Sequence, residues 1–374
     1  MLLNCYLAKY MEKIIFLQDN AYDNGGITRV VNMLANQLVN LDYEIEIISL
    51  NCKKQNEYYS LSKKIIVRDL GFTNFNLRKN SIEAAKRLKL LMPPKEKVIL
   101  VVAEIGNVFL AELATKKYKN IKKTVWLHTN SSHGKEYGFA GIGRRIAFSK
   151  FDKIITLTKE DEEYLIDKYN KKEKLTQIYN PIDIKLHKCY NGKSHKILSC
   201  GNLYTVKGFE EAIEIARYLF ENDDAKTWQW DIYGEGPERN KLEEKIKKYE
   251  LDNYVFLKGY NNDMYEVYRQ YGIDVFTSVH EGCPMAMIEA MSIGIPIVSF
   301  DFPCGPKDMI NNNKNGFIVC NRNTKEMAIK ILELIKNKKK RLEFSENSDE
   351  NLKEMEMTYV ISKWITLLSE LSSE

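Results

Sequence analysis

From Cys283 to Phe300 the sequence carries a single charged residue, Glu289, between Ile288 and Ala290 in a segment of helical composition. A carboxylate in so apolar a setting is costly unless something satisfies it. A buried Lys or Arg, or a neighbouring loop, would serve. So would a ligand's vicinal diol, because two hydroxyls match two carboxylate oxygens. Glu281 lies eight positions earlier, on the loop leaving the apolar run Val275–Ser278. The Gly282-Cys283-Pro284 turn follows, and Pro284 suits the first turn of a helix. The amides of Cys283, Met285 and Ala286 then face a helix N-terminus, where phosphate is favoured. One loop thus offers a carboxylate, an anion cradle and a second carboxylate. The set suits a sugar, a diphosphate and a ribose in line.

Other residues could join this chemistry. Lys207-Gly208 follows a strand and loop and precedes a helical pattern, which sets Lys207 apart from an ordinary surface lysine. Gly25 and Gly26 end a polar loop, Asp19–Gly26, where a backbone without Cβ atoms lets amides approach a phosphate. His128 sits at a strand end before the polar stretch Thr129–Gly134. A lone histidine there serves structure as readily as chemistry. His133 and His280 read as loop residues. The seven cysteines are scattered with no C-x-x-C pair, which argues for a reduced chain without a disulfide framework or zinc site.

The elements that must position these residues alternate between strand and helix. Lys13–Gln18, Glu44–Leu50, Val98–Ala103, Thr124–Leu127 and Ile154–Leu157 read as strands, and Ile27–Val39 as an amphipathic helix with Val30, Val31, Leu34, Ala35 and Leu38 on one face. Asn-Pro near Ile178–Asp183 marks a turn, and polar Lys185–Lys196 reads as a linker. A second series follows: strands at Lys196–Cys200, Trp228–Tyr233, Tyr254–Lys258, Val275–Ser278 and Ile297–Phe300, and helices at Phe209–Phe220 and Glu238–Tyr249. The expected architecture is α/β, with two doubly wound parallel-sheet domains facing across a cleft and ligands at the C-terminal strand ends. The expected division is an N-terminal acceptor-side domain (1–184), a nucleotide-sugar domain (185–354) and a C-terminal helix (355–374) packing back toward the first domain.

Composition sets further bounds. The 374 residues suit two domains, and no run of 18 apolar residues suggests a membrane span. The N-terminus reads as a poor signal peptide, and residues 1–10 as an extension outside the fold, since Met11 stands just before the first strand. Residues 1–190 hold 32 Lys and Arg against 21 Asp and Glu, a net +11, whereas residues 191–374 carry −6. A basic first half suits an anionic partner, although a Lys-rich solvated surface gives the same count. Lys116–Lys123 and Gly143–Lys150, where Arg144, Arg145 and Lys150 flank Ile146, Ala147 and Phe148, read as surfaces for anionic lipid or as ordinary snorkelling faces. Lys336–Arg341 reads as a solvated helix end. The acidic second half speaks against an extended nucleic-acid footprint.

Taken in order, the motifs resemble retaining GT-B glycosyltransferases of the family-4 type. HEGCPMAMIEAMSIGIPIVSFD (His280–Asp301) is similar to their E-x7-E segment, and Gly25-Gly26-Ile27-Thr28-Arg29 to their first loop. Trp126-Leu127-His128-Thr129, Phe151–Thr156 and Tyr179–Asp183 resemble their later landmarks, as do Gly201-Asn202-Leu203 with Lys207-Gly208, Gly234-Glu235-Gly236-Pro237 and Gly294–Val298. The resemblance spans about residues 12–320. It implies that Glu281 contacts the transferred sugar, Glu289 the ribose, and Lys207 the departing diphosphate. Gly234, Gly259 and Tyr260 would lie by the donor, and His128 by the donor sugar. Asn202 stands where the family commonly has Arg, so the phosphate grip is one charge short. The implied activity is transfer of a hexose, with retention, from a nucleotide sugar (UDP by family default). The acceptor would be a saccharide or lipid-linked saccharide of cell-surface polysaccharide assembly. No cofactor or metal is expected, since the chain has no D-x-D triplet. The expected location is cytoplasmic, peripheral at the inner membrane face. A non-catalytic sugar-nucleotide-binding or anionic-ligand-binding protein on the same scaffold is the alternative.

Overall fold

The computed structural model describes residues 13–51, 59–133, 137–182 and 188–373. The expected N-terminal extension, Cys5, Cys52, Gly134, Asp183 and the start of the expected linker lie outside them. The chain divides into two units, one of Met1–Pro181 with Met357–Glu374, the other of Ile182–Glu356.

In the first unit the strands are β1 (Lys13–Gln18), β2 (Glu44–Ser49), β3 (Ile66–Asp69), β4 (Val98–Val102), β5 (Ile121–Trp126), β6 (Lys153–Thr156) and β7 (Leu175–Gln177). All pair in parallel, in the order β3-β2-β1-β4-β5-β6-β7. Central strands such as VILVV, and KIIFLQ between its polar ends, are unbroken apolar runs because helices cover both faces. Those helices are α1 (Gly26–Asn40), α2 (Leu77–Leu91), α3 (Val108–Thr115), α4 (Phe139–Lys150) and α5 (Lys159–Tyr169). The side chain of Asn76 caps α2, and that of Thr158 caps α5, whose first turn is acidic as the helix dipole favours.

Parts of the two basic segments read as lipid or snorkelling surfaces are engaged in the fold, while Lys116, Lys117, Lys119, Arg145 and Lys150 stay exposed. Lys116–Lys123 runs into β5, with Lys123 Nζ 2.6 Å from Glu112 Oε2. In α4, Arg144, Ala147 and Phe148 are buried. The exposed apolar residues of this region are instead Tyr137, Phe139 and Ile142.

The second unit holds β8 (Lys196–Cys200), β9 (Gln229–Tyr233), β10 (Val255–Gly259), β11 (Ile273–Phe276), β12 (Ile297–Phe300) and β13 (Gly316–Val319). They form a parallel sheet in the order β10-β9-β8-β11-β12-β13. Its helices are α6 (Phe209–Leu219), α7 (Arg239–Lys248), α8 (Met264–Tyr268), α9 (Met285–Ile293), α10 (Pro306–Met309), α11 (Thr324–Lys336) and α12 (Lys338–Glu346). Arg341 is not part of a solvated end: it is buried and donates to the carbonyls of Ile335 (3.0 Å) and Gly192 (3.1 Å). Backbone carbonyls of α11 and of Gly192 thus take up the two terminal nitrogens of its guanidinium, while Nε has no partner among the described residues.

The last helix, α13 (Met357–Ser373), belongs to the first unit. Its Trp364 packs edge-on against Trp126 of β5, with ring centroids 4.8 Å apart, and against Phe16 of β1 at 6.4 Å. Glu370 pairs with Lys153 of β6 at 3.3 Å.

Candidate active site

In the second unit the strand order reverses between β8 and β11, the position at whose C-terminal strand ends open parallel sheets commonly bind ligands. Lys207 lies on the loop after β8, and Glu281 on the loop after β11. Glycine brings the loops together. At Gly208 (φ +67°) an added Cβ would stand 2.1 Å from the Thr277 carbonyl oxygen, so only glycine allows this approach. The closeness permits two bonds between the loops: Thr277 Oγ1 donates to the Lys207 carbonyl at 2.9 Å, and the Val279 amide donates to the Val206 carbonyl at 2.8 Å. Lys207 Nζ then reaches Glu281 Oε1 at 2.6 Å. Ser278 Oγ donates to the same oxygen at 2.7 Å. Both bonds fall on Oε1, which orients the carboxylate.

Glu289 lies in α9, 7% exposed. The Tyr268 hydroxyl donates to its Oε2 at 3.2 Å, and Cys200 Sγ contacts that hydroxyl at 3.2 Å. Burial, with Asp274 adding to it, pushes the Cys200 thiol well up, so it stays protonated. Asp274 of β11 is fully buried, and neither carboxyl oxygen has a hydrogen-bond partner. Burial first, and the Glu289 charge after it, raise its pKa well above the usual carboxylate range; the Val275 amide opposes this without closing a hydrogen bond. A carboxylic acid therefore lies buried near Glu289.

Pro284 stands at the N-cap of α9, one place before the helix where the first turn was expected, and intrahelical bonding runs from Met287 N–H to Pro284 O at 2.9 Å. The amides of Met285 and Ala286 precede that bond and are available to an anion. Gly282 and partly buried Met285 border the turn, and Cys283 is buried. Gly234 (φ +139°) permits another close approach, since a Cβ there would lie 2.0 Å from the Gly201 carbonyl oxygen. Its amide donates to Gly259 at 2.9 Å, which gathers the ends of β8, β9 and β10. Asn202 and Tyr260, the latter 54% exposed, project from these ends.

The remaining expected residues belong to the first unit. Gly25 is the N-cap of α1 with an ordinary φ of −71°, and a Cβ on Gly26 would meet nothing within 4 Å. Neither glycine is demanded by packing. His128 follows β5, its ring 4.4 Å from that of Trp126 and its Nε2 buried without a partner. Burial pushes its pKa down to about 3, so the imidazole is neutral near pH 7. Ser278 and Tyr268 were not singled out from the sequence. Ser278 stands three residues before Glu281, and that short spacing is the only signal that points to it. A cavity of about 520 Å³ opens at the opposite, N-terminal ends of the strands of the second sheet, lined by His195, Lys196, Trp228 and Arg269 among others, and holds none of the expected residues. Among the described residues no cluster of three His, Cys, Asp or Glu could hold a metal.

Comparison with known proteins speaks to family and fold. Residues 24–186 match the family described as Glycosyltransferase Family 4, and residues 185–351 that described as Glycosyl transferases group 1. An uncharacterized glycosyltransferase of Haemophilus influenzae is 28% identical over 96% of this chain and 100% of its own. The amylovoran biosynthesis glycosyltransferase AmsD of Erwinia amylovora is 24% identical over the same shares. The poly(ribitol-phosphate) alpha-N-acetylglucosaminyltransferase of Staphylococcus aureus is 30% identical over 65% of this chain and 52% of its own. Among solved structures, TarM superposes with a TM-score of 0.81 at 19% identity, covering 96% of this chain and 99% of its own. Anabaena HepE in complex with UDP and glucose gives 0.80 at 16% identity over the same shares. At these identities the structures speak for the fold. With two family matches meeting at the domain junction and two all-parallel sheets, the chain is a family-4-like glycosyltransferase of the GT-B fold.

Proposed function

We propose that this protein transfers a hexose from a UDP-sugar, with retention at the anomeric carbon and without a metal, to a saccharide or lipid-linked saccharide of cell-surface polysaccharide assembly. The observation that carries the proposal is the meeting of Lys207 and Glu281 at 2.6 Å at the switch point of the second sheet, with Glu289 on the helix that follows. Glu281 Oε1 is held by Lys207 and Ser278, which aims Oε2 at sugar hydroxyls. Glu289 takes the ribose diol. The diphosphate draws Lys207 from Glu281 and meets the first amides of α9. The fixed positive charge stabilises the leaving nucleoside diphosphate while the acceptor hydroxyl attacks from the same face. Asn202 adds a hydrogen bond but no charge to this grip. Neutral His128 contacts the donor sugar as a hydrogen-bonding group.

Relatives support this reading. The solved HepE structure holds UDP and glucose, and one relative acts in amylovoran biosynthesis. A donor screen by thermal shift, followed by release of nucleoside diphosphate, tests the proposal. Stabilisation by UDP-sugars with release on acceptor addition is expected. Stabilisation without turnover against any saccharide acceptor would favour a binding protein instead.

The surface around α4 supports membrane association. Tyr137, Phe139 and Ile142 are exposed, with Arg145 over the Tyr137 ring and Arg78 over the Phe139 ring, each at 5.8 Å. Apolar side chains among arginines suit an anionic bilayer interface. No helix among the described residues is long and apolar enough to cross a membrane. Flotation with anionic vesicles at low salt tests this, and absence of binding would sink it.

A further inference from the structure

In the first unit the strand order reverses between β1 and β4, and three polar side chains cluster at the ends of those two strands. Asp19 directly follows β1. Glu104 lies two residues past β4, and Asn107 begins the turn into α3. The Asp19 amide donates to Glu104 Oε1 at 3.1 Å. Asn107 Nδ2 donates to Asp19 Oδ1 at 2.7 Å and to Glu104 Oε2 at 3.3 Å. Asn107 itself is fully buried, and its Oδ1 has no hydrogen-bond partner. Such an orphan acceptor costs free energy that a ligand donor would recover. Asp19 is exposed and Glu104 partly so, which leaves the cluster reachable.

The atoms on offer decide what fits. Both amide hydrogens of Asn107 are spent on the carboxylates, so the cluster presents acceptors: the carboxyl oxygens at the surface, backed by the buried Asn107 Oδ1, which a donor reaches only if the side chain turns. Burial raises the pKa of both acids, and the Asp19 charge raises that of Glu104 further. Each acid is therefore easier to protonate than a free carboxyl. A phosphate has no hydrogen to give and meets negative charge here. A sugar ring offers several hydroxyl donors.

We propose that Asp19, Glu104 and Asn107 form a recognition site for the neutral, hydroxyl-rich terminus of the acceptor saccharide, and that they discriminate against a phosphorylated one. The inference rests on the glycosyltransferase reading and deepens it by naming the acceptor chemistry. Any anionic carrier would lie outside this cluster, toward the basic surface around α4.

The test uses the full chain and saturation-transfer NMR with titration. The probes are methyl α-glucoside and methyl N-acetyl-α-glucosaminide, against glucose 1-phosphate and glycerol 3-phosphate. The neutral glycosides should bind, and the phosphates should not displace them. Asp19→Ala, at an exposed position, and Asn107→Ala should each weaken glycoside binding by about fivefold, the loss of one hydrogen bond. Glu104→Gln should weaken it by a similar factor, because one of the two oxygens that accept from the Asp19 amide and from Asn107 becomes an NH2 facing a donor. UDP affinity, read in parallel, should not change in any variant. The proposal is overturned if neither glycoside binds the wild-type protein, if the variants bind it equally well, or if the phosphates compete. It is equally overturned if magnesium or methylammonium displaces the glycosides through these residues. Loss of UDP binding by the wild-type protein would instead strike the donor reading, which separates the two failures.

Discussion

Replacing Asp274 by Asn should leave stability almost unchanged near pH 4 and raise it at pH 8. Asp274 is fully buried with no hydrogen-bond partner on either oxygen, and burial together with Glu289 holds its pKa well above the usual carboxylate range. In the unfolded chain the same carboxyl ionises near about 3.9. Above that pH the folded state binds a proton that the unfolded state has released, so stability falls as pH rises. The slope is about 1.4 kcal/mol per pH unit for one group, and it continues until the pH reaches the raised folded pKa. Asn has the same shape and no proton to lose, so the variant escapes this loss. Urea unfolding at pH 4, 6 and 8 would measure it. Trp228 and Trp230 report on the second unit, and Trp126 and Trp364 on the first, which matters because two units need not unfold together. The difference between variant and wild type should grow with pH in the second unit. Parallel curves across the range would refute the inference that Asp274 is held protonated.

Three further outcomes follow from the same geometry. Ser278→Ala removes one of the two bonds on Glu281 Oε1 and should lower kcat/KM about threefold to tenfold, roughly 1 kcal/mol, with urea stability changed far less than activity. Tyr268→Phe removes the hydroxyl that donates to Glu289 Oε2 and should raise the donor KM several-fold while kcat holds; an unchanged KM would remove Tyr268 from the ribose grip. His128, with its folded pKa pushed down to about 3, lets the unfolded state take up a proton first as pH falls below about 6.5. It therefore costs about 1.4 kcal/mol per unit between those limits and nothing above them. His128→Asn should flatten that acid limb in a pH series of unfolding measurements.

The parallel sheets were visible in the sequence because their central strands are buried on both faces and read as unbroken apolar runs, as in VILVV. Edge strands gave no such signal. Ile66–Asp69 is largely exposed, and Leu175–Gln177 has only three residues, so neither separates from loop by composition. Glu289 was conspicuous because a single charge in an apolar helix has few explanations. Tyr268 and Ser278 were not, since neither is charged and Tyr268 reaches Glu289 only through the packing of α8 beside α9. Arg341 misled because side-chain charge says nothing of local carbonyls: a guanidinium that finds backbone acceptors can be buried where a Lys-rich run suggests solvent. The Asp19–Glu104–Asn107 cluster escaped notice because Asp19 lies 85 or more residues from the other two, and only the order of β1 and β4 makes them neighbours.

The central claim is that Glu281, held by Lys207 and Ser278, positions the donor sugar. It is tested most directly by titrating UDP and UDP-sugars into wild-type protein and Glu281→Gln, and timing nucleoside diphosphate release in the presence of acceptor. The account predicts UDP affinity within about threefold of wild type and an intact fold in the variant. It predicts transfer slowed by about a hundredfold or more, at least ~2.7 kcal/mol of lost transition-state stabilisation. Full transfer activity in Glu281→Gln would contradict it.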